Sequence, residues 1–290
     1  MTRIITSLSE ISESYDALFC DLWGCVHDGL APFAEAVAAL QAFRARGGTV
    51  MLVTNAPRAH TPVRRQLDRL GVPSDAYDGI ATSGDSARAA MLRGAVGEKV
   101  YFIGQPHDQD FFAPLELIEN PVTISQVPLE QAEGMVCCGP FDPLADPKEM
   151  RAQFLQAKTR GLKLLCANPD IVVDRGETRE WCAGALAKLY TEMGGESLYF
   201  GKPHPPIYDL ARRRLQALGK DIPDSRILCV GDGILTDIDG AMGEDLDSLF
   251  ITGGLAARET QTADQPDPKA LMAYLTKEMR QPAYSIGKLR

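Results

Sequence analysis

The sequence has no strongly basic run, no Cys-x-x-Cys pair and no apolar stretch of membrane-spanning length. Each absence removes a class of function. With 30 Lys and Arg against 39 Asp and Glu, the formal net charge is −9. The one basic triple, Arg212-Arg213-Arg214, would splay around a helix axis, so no nucleic-acid partner is expected. Without Cys-x-x-Cys, a structural zinc site is not expected. The seven cysteines are odd in number and sit mostly in apolar runs, which reads as buried free thiols in a reducing compartment. The N-terminal segment has neither a basic n-region nor an apolar h-region, so a cytoplasmic location without a membrane partner is the expectation. A phosphate loop of the form G-x-x-x-x-G-K-[ST] is missing. Gly231-x-Gly233 has Thr236 where a dinucleotide fingerprint needs its third glycine, which argues against NAD.

What is present is alternation. The 290 residues, 45% hydrophobic and 24% charged, suit an ordinary globular protein of one large or two ordinary domains. Residues 17–20 form an apolar run, and residues 33–46 an amphipathic stretch stopped by Gly47-Gly48. Residues 49–53 are β-branched and apolar, and a helix over about 62–70 stops at Gly71. The C-terminal third repeats the habit, with strand signals at 197–200, 227–230 and 248–251 and helices at 207–218 and 269–279. Such β-α-β-α order predicts an α/β protein with a parallel sheet covered on both faces. Between the two parts, residues 83–180 alternate independently. Strand candidates lie at 99–104, 134–138 and 162–167, and helix candidates at 86–92 and 147–160. This region is long enough to be an inserted α/β domain.

Four strand ends carry chemistry: Asp21; Thr54 with Asn55; Lys202; and Asp232 with Asp237. Open α/β sheets bind ligands beyond the carboxyl ends of their strands. Asp21 and Asp232 are hard oxygen donors suited to Mg2+, which takes one or two protein carboxylates with phosphate and water. Thr54 offers a hydroxyl donor, and Lys202 a point charge for a phosphoryl transition state. Asp237 is placed to orient Lys202 or a metal-bound water. A small phosphorylated metabolite is the expected partner.

In order and spacing, these motifs resemble the haloacid dehalogenase-like superfamily. Val53-Thr54-Asn55, Ala167-Asn168-Pro169-Asp170, Phe200-Gly201-Lys202-Pro203-His204 and the Gly231–Asp237 segment look like its class IIA, NagD and p-nitrophenyl phosphatase-like branch. The resemblance implies a Rossmann-like core at 1–82 and 181–290, with an α/β cap inserted at 83–180. It implies phosphatase activity through an aspartyl-phosphate on Asp21, and Mg2+ held by Asp21, the backbone carbonyl of Trp23 and Asp232, with Asp237 close by. Phosphate would meet Thr54, Asn55, Lys202 and the turn at Trp23 and Gly24. A cap-mediated homodimer would also suit the branch.

One position departs from the pattern. Most phosphatases of the superfamily carry a second Asp two residues after the nucleophile, and this chain has Trp23. An indole cannot protonate a leaving group, and such help is worth roughly 10²–10⁴-fold. His27 and Asp28 are candidate surrogate acids, while Asn168, Asp170, Arg175 and Arg179 are candidate substrate contacts of the cap. Two alternatives therefore stand beside the phosphatase: a catalytically weak phosphate-ligand sensor, and a phosphotransferase.

Overall fold

The computed structural model describes residues 2–113, 120–175 and 178–290. The chain divides into two compact units. The first comprises Met1–Thr54, Arg64–Ala81 and Lys202–Arg290, and the second Asn55–Val63 and Thr82–Gly201.

The first unit holds a seven-stranded sheet in the order Arg3–Ile4, Tyr284–Ile286, Asp247–Ile251, Ile227–Gly231, Ala17–Cys20, Thr49–Thr54, Gly79–Thr82. The registers on either side of Ala17–Cys20 are parallel. Its central strands are apolar throughout because both faces are covered. Ala17, Phe19, Met51, Val53, Ile227 and Cys229 alternate onto one face, against Ile207, Tyr208, Ala211 and Leu215 of helix Pro205–Ala217. Leu18, Val50, Leu52, Leu228 and Val230 fill the other positions and are equally buried. Burying each side chain of this kind stabilises the fold by about 1.5–3 kcal/mol. The register fixes the functional edge. Cys20 pairs with Leu52 on one side and Val230 on the other, so Asp21, Thr54 and Asp232 emerge together.

The second unit has its own sheet, five parallel strands in the order Glu196–Tyr199, Lys163–Cys166, Gly134–Cys137, Lys99–Ile103, Ser125–Gln126. Met135, Cys137, Leu164 and Cys166 face one apolar cluster, and Val136, Cys138, Leu165 and Ala167 another. An antiparallel pair, Val172–Arg175 with Thr178–Trp181, stands apart from that sheet.

The second unit does not end near residue 180. Helix Ala183–Glu192 buries Leu186 and Tyr190 in the same cluster as Phe154, and strand Glu196–Tyr199 pairs with Lys163–Cys166. The unit therefore runs to Gly201 and also takes in Asn55–Val63. A strand's sheet is set by distant pairing, which its local pattern cannot specify. Among the described residues, no helix is long and apolar enough to cross a membrane.

Candidate active site

Asp21 follows directly on the buried strand Ala17–Cys20, and its N–H donates to the Val230 carbonyl at 2.8 Å. The neighbouring strand Ile227–Gly231 thereby pins the start of the turn that carries Trp23 and Gly24. Lys202 follows the strand Glu196–Tyr199, which pairs in the second sheet, rather than ending a strand of the first sheet. Its Nζ donates to Asp21 Oδ1 at 2.5 Å and to Asp237 Oδ1 at 2.7 Å. Asp237 lies in a wide π-type turn, Ile234–Ile238, where its other oxygen accepts the Gly233 N–H at 3.0 Å. Single π turns of this kind recur at functional sites. Asp232 Oδ2 accepts the Leu255 N–H at 3.0 Å.

Every charge in this cluster is buried: Asp21 is 8% exposed, Lys202 4%, Asp232 6% and Asp237 5%. Burial pushes the Asp21 carboxyl well above its usual range; the ammonium of Lys202 opposes that shift, while the charges of Asp237 and Asp232 reinforce it. Burial also disfavours the Lys202 ammonium, but Asp21 and Asp237 outweigh it and hold that group charged. Isolated buried charges are expensive, so the Asp21–Lys202–Asp237 chain persists only because each partner satisfies the next.

Two glycines let backbone approach Asp232. Gly24 has φ +77, and a Cβ there would collide with the Asp232 carboxylate. A Cβ on Gly254 would meet the same oxygen. Thr54 is buried at the end of Thr49–Thr54, on the same edge as Asp21.

The remaining candidates fall elsewhere. His27 is 2% exposed, and its Nδ1 accepts the Gly29 N–H at 3.0 Å. Burial lowers its pKa, and since Nδ1 accepts, the neutral ring carries its proton on Nε2. Asp28 Oδ1 accepts the N–H groups of Leu30 and Ala31, each at 2.8 Å, which holds its carboxyl below the usual range. Both groups hold the loop. Trp23 packs edge-on to His27, with ring centroids 5.4 Å apart. In the second unit, Asn55 is buried and its Nδ2 donates to Asp170 Oδ1 at 2.8 Å, while Asn168 Oδ1 accepts the Asp170 N–H at 3.0 Å. Arg179 is exposed on Thr178–Trp181. Arg175 closes the strand Val172–Arg175, and as a candidate contact its side chain lies outside the described residues.

A sequence profile described as haloacid dehalogenase-like hydrolase matches residues 18–117, and one described as HAD-hydrolase-like matches residues 199–277. The crystal structure of a hydrolase of the haloacid dehalogenase-like family from Brucella suis 1330 is similar over 99% of this chain and 100% of its own. The identity is 38% and the TM-score 0.85. The chain belongs to the haloacid dehalogenase-like hydrolase family. It is also 25% identical to a 5'-nucleotidase from Bacillus subtilis over 266 residues, 91% of this chain and 97% of that one. Its fold matches that of glycerol phosphate phosphatase from Mycobacterium tuberculosis in complex with magnesium, with TM-score 0.68 and 23% identity over 99% and 78% of the two chains.

This hydrolase's edge fits a divalent cation on its own chemistry. Three buried carboxylates, Asp21, Asp232 and Asp237, lie at this edge, and the ammonium of Lys202 bonds to two of them, Asp21 and Asp237; hard carboxylate oxygens gathered in this way suit Mg2+. Ligand atoms of Asp21 and Asp232 lie within 4.8 Å of one another, together with the sulfur of Cys25. The glycines at 24 and 254 place no Cβ against the carboxylate of Asp232. Cys25 is the residue that sequence reasoning passed over. Its position in the same glycine-bearing turn, four residues after Asp21, was the available signal.

Proposed function

We propose that this hydrolase is a Mg2+-dependent phosphatase of small phosphate monoesters, with Asp21 as nucleophile. The observation that carries the reading is the buried Asp21–Lys202–Asp237 chain beside Asp232 at the sheet edge. Asp21 attacks phosphorus, the bond from phosphorus to the leaving oxygen breaks, and an aspartyl-phosphate forms. Water then attacks phosphorus and releases phosphate and Asp21. Two moderate displacements replace one difficult one. Lys202 holds the nucleophile's oxygen and presents positive charge to the phosphoryl oxygens, and Asp237 keeps Lys202 in place. Thr54 donates its hydroxyl to phosphate, with Asn55, Trp23 and Gly24 as further phosphate contacts. Asp21, Asp232 and the Trp23 carbonyl would hold Mg2+, with Asp237 nearby; the cation supplies charge neutralisation for an incoming dianion.

The leaving group's proton is the weak point. Trp23 cannot supply it, Asp28 is held ionised by the loop's N–H groups, and His27 has Nδ1 tied to Gly29. The enzyme should therefore favour esters with good leaving groups over alkyl phosphates. The 5'-nucleotidase and glycerol phosphate phosphatase among its relatives support a small monoester as substrate. We read the first unit as the hydrolase core and the second as a cap that selects substrate through Asn168, Asp170 and Arg175.

The test is phosphate release from p-nitrophenyl phosphate, with and without Mg2+, by the wild type and by Asp21→Asn. Metal-dependent release by the wild type and none by the variant is the expected result. Unaltered release by Asp21→Asn refutes the assignment. Tryptophan quenching by phosphate ligands without any release would mark a sensor instead, and a long-lived acyl phosphate a phosphotransferase.

A further inference from the structure

One group at the catalytic edge takes no part in the chemistry above: the thiol of Cys25. It is 1% exposed, and its sulfur lies with oxygens of Asp21 and Asp232 in a set whose members are all within 4.8 Å of one another. Three of the other buried thiols are hydrogen-bonded. Cys20 donates to the Asp21 carbonyl, Cys137 to the Gly139 carbonyl and Cys166 to the Asn168 carbonyl. Among the described residues, none forms such a bond with Cys25.

Mg2+ has no use for sulfur, because it is a hard cation that keeps to oxygen ligands. Softer divalent cations do use it, and a mixed sulfur and oxygen donor set selects them. In a tetrahedral site, zinc lies about 2.3 Å from sulfur and about 2.0–2.2 Å from carboxylate oxygen, so two ligands of one ion stand roughly 3.6 Å apart. That spacing falls inside the 4.8 Å within which the three donor atoms lie of one another.

We propose that Cys25 Sγ, Asp21 and Asp232 form a binding site for a thiophilic divalent cation of the zinc and cadmium class. On binding, a metal–sulfur bond forms, the S–H bond breaks and the proton leaves to solvent; nothing is oxidised or reduced. Such a cation takes up the Asp21 carboxylate and so excludes Mg2+ from the same oxygens. The site makes the protein sensitive to soft metals through one particular thiol. The claim concerns coordination alone and stands whether or not the chain hydrolyses phosphate esters.

Titration of the full chain with Cd2+, followed by the ultraviolet thiolate-to-cadmium charge-transfer band, tests it. The wild type should show the band, saturating at one Cd2+ per chain. Cys25→Ala and Cys25→Ser should lack it and bind Cd2+ at least about tenfold more weakly, since loss of a mere outer-shell partner already costs that much. Wild-type binding without the band overturns the proposal, and so does a band that survives in either variant. If neither variant folds by circular dichroism, cadmium NMR of the wild type decides. A resonance in the thiolate-ligated range supports the site, and one in the all-oxygen range removes it. Phosphate release enters neither readout.

Discussion

Strand Ala17–Cys20 in the first unit and strand Gly134–Cys137 in the second are each four residues long, wholly buried and flanked by parallel neighbours. One runs into Asp21, the other into Cys138, Gly139 and Pro140. The strand beside each repeats the contrast: Ile227–Gly231 delivers Asp232, whereas Lys163–Cys166 delivers Ala167 and Asn168. The two sheets share one packing solution, with apolar side chains alternating onto two covered faces. Their interiors specify a fold and nothing more. Chemistry enters at the first residue or two beyond the strand, where a carboxylate can be buried because a neighbouring strand and a lysine satisfy it.

The largest effect should come from completing the acid edge of the first sheet. Trp23→Asp places a carboxyl where the family pattern has one, and Trp23→Asn controls for losing the indole that packs on His27. On an alkyl phosphate, Trp23→Asp should turn over faster than Trp23→Asn by up to roughly 10²–10⁴-fold. On p-nitrophenyl phosphate the two should differ little, because that leaving group needs no proton. Equal rates on the alkyl ester would mean that a different acid already serves the reaction.

A smaller effect separates the two sheets directly. Gly254→Ala drives a Cβ into the Asp232 carboxylate, while Gly139, just past the strand Gly134–Cys137, has nothing within 4 Å of where its Cβ would stand. Gly254→Ala should therefore weaken Mg2+ binding by about tenfold or more, in the range found when a group that orients a metal ligand is lost. Gly139→Ala should stay within about 0.5 kcal/mol of wild type in stability and leave metal affinity unchanged. Isothermal titration with Mg2+ and urea unfolding read both. Equal behaviour of the two variants would erase the distinction between the sheets' edges.

Much of this was legible from sequence, for reasons that also explain what was not. Helix Ala34–Ala45 announces itself through Ala36, Val37, Leu40 and Phe43 at helical spacing and through the Gly47-Gly48 stop. The strands ending at Cys20, Thr54 and Gly231 are apolar runs closed by polar or glycine residues, and the order of the acids and Lys202 pointed to one edge. Pairing was not legible. Glu196–Tyr199 resembles any short strand, and only its register with Lys163–Cys166 assigns it to the second sheet. The hydrogen bond of Asn55 to Asp170 spans 115 residues, and Lys202 meets Asp21 across 181. Local periodicity names an element; it does not name the partner. The closeness of Cys25 to Asp232 belongs to the same blind spot, because it depends on how a turn folds against a neighbouring loop.

The smallest predicted effect lies in the loop that carries Asp28, outside either sheet. Asp28 Oδ1 accepts two backbone N–H bonds, from Leu30 and Ala31, and those bonds lower its pKa in the folded chain. A depressed folded value means that the ionised group stabilises the fold above the unfolded value of about 3.9, and that this contribution is lost as pH falls through the folded value. The side chain is exposed, so solvent screens the effect and it should be slight. Asp28→Asn keeps an oxygen to accept both N–H groups but cannot titrate. Urea unfolding of wild type and variant should give a constant difference above about pH 4 that closes below it. A difference that instead grows on acidification would mean that protonated Asp28 helps the loop, and would return it to consideration as the missing proton donor beside Trp23.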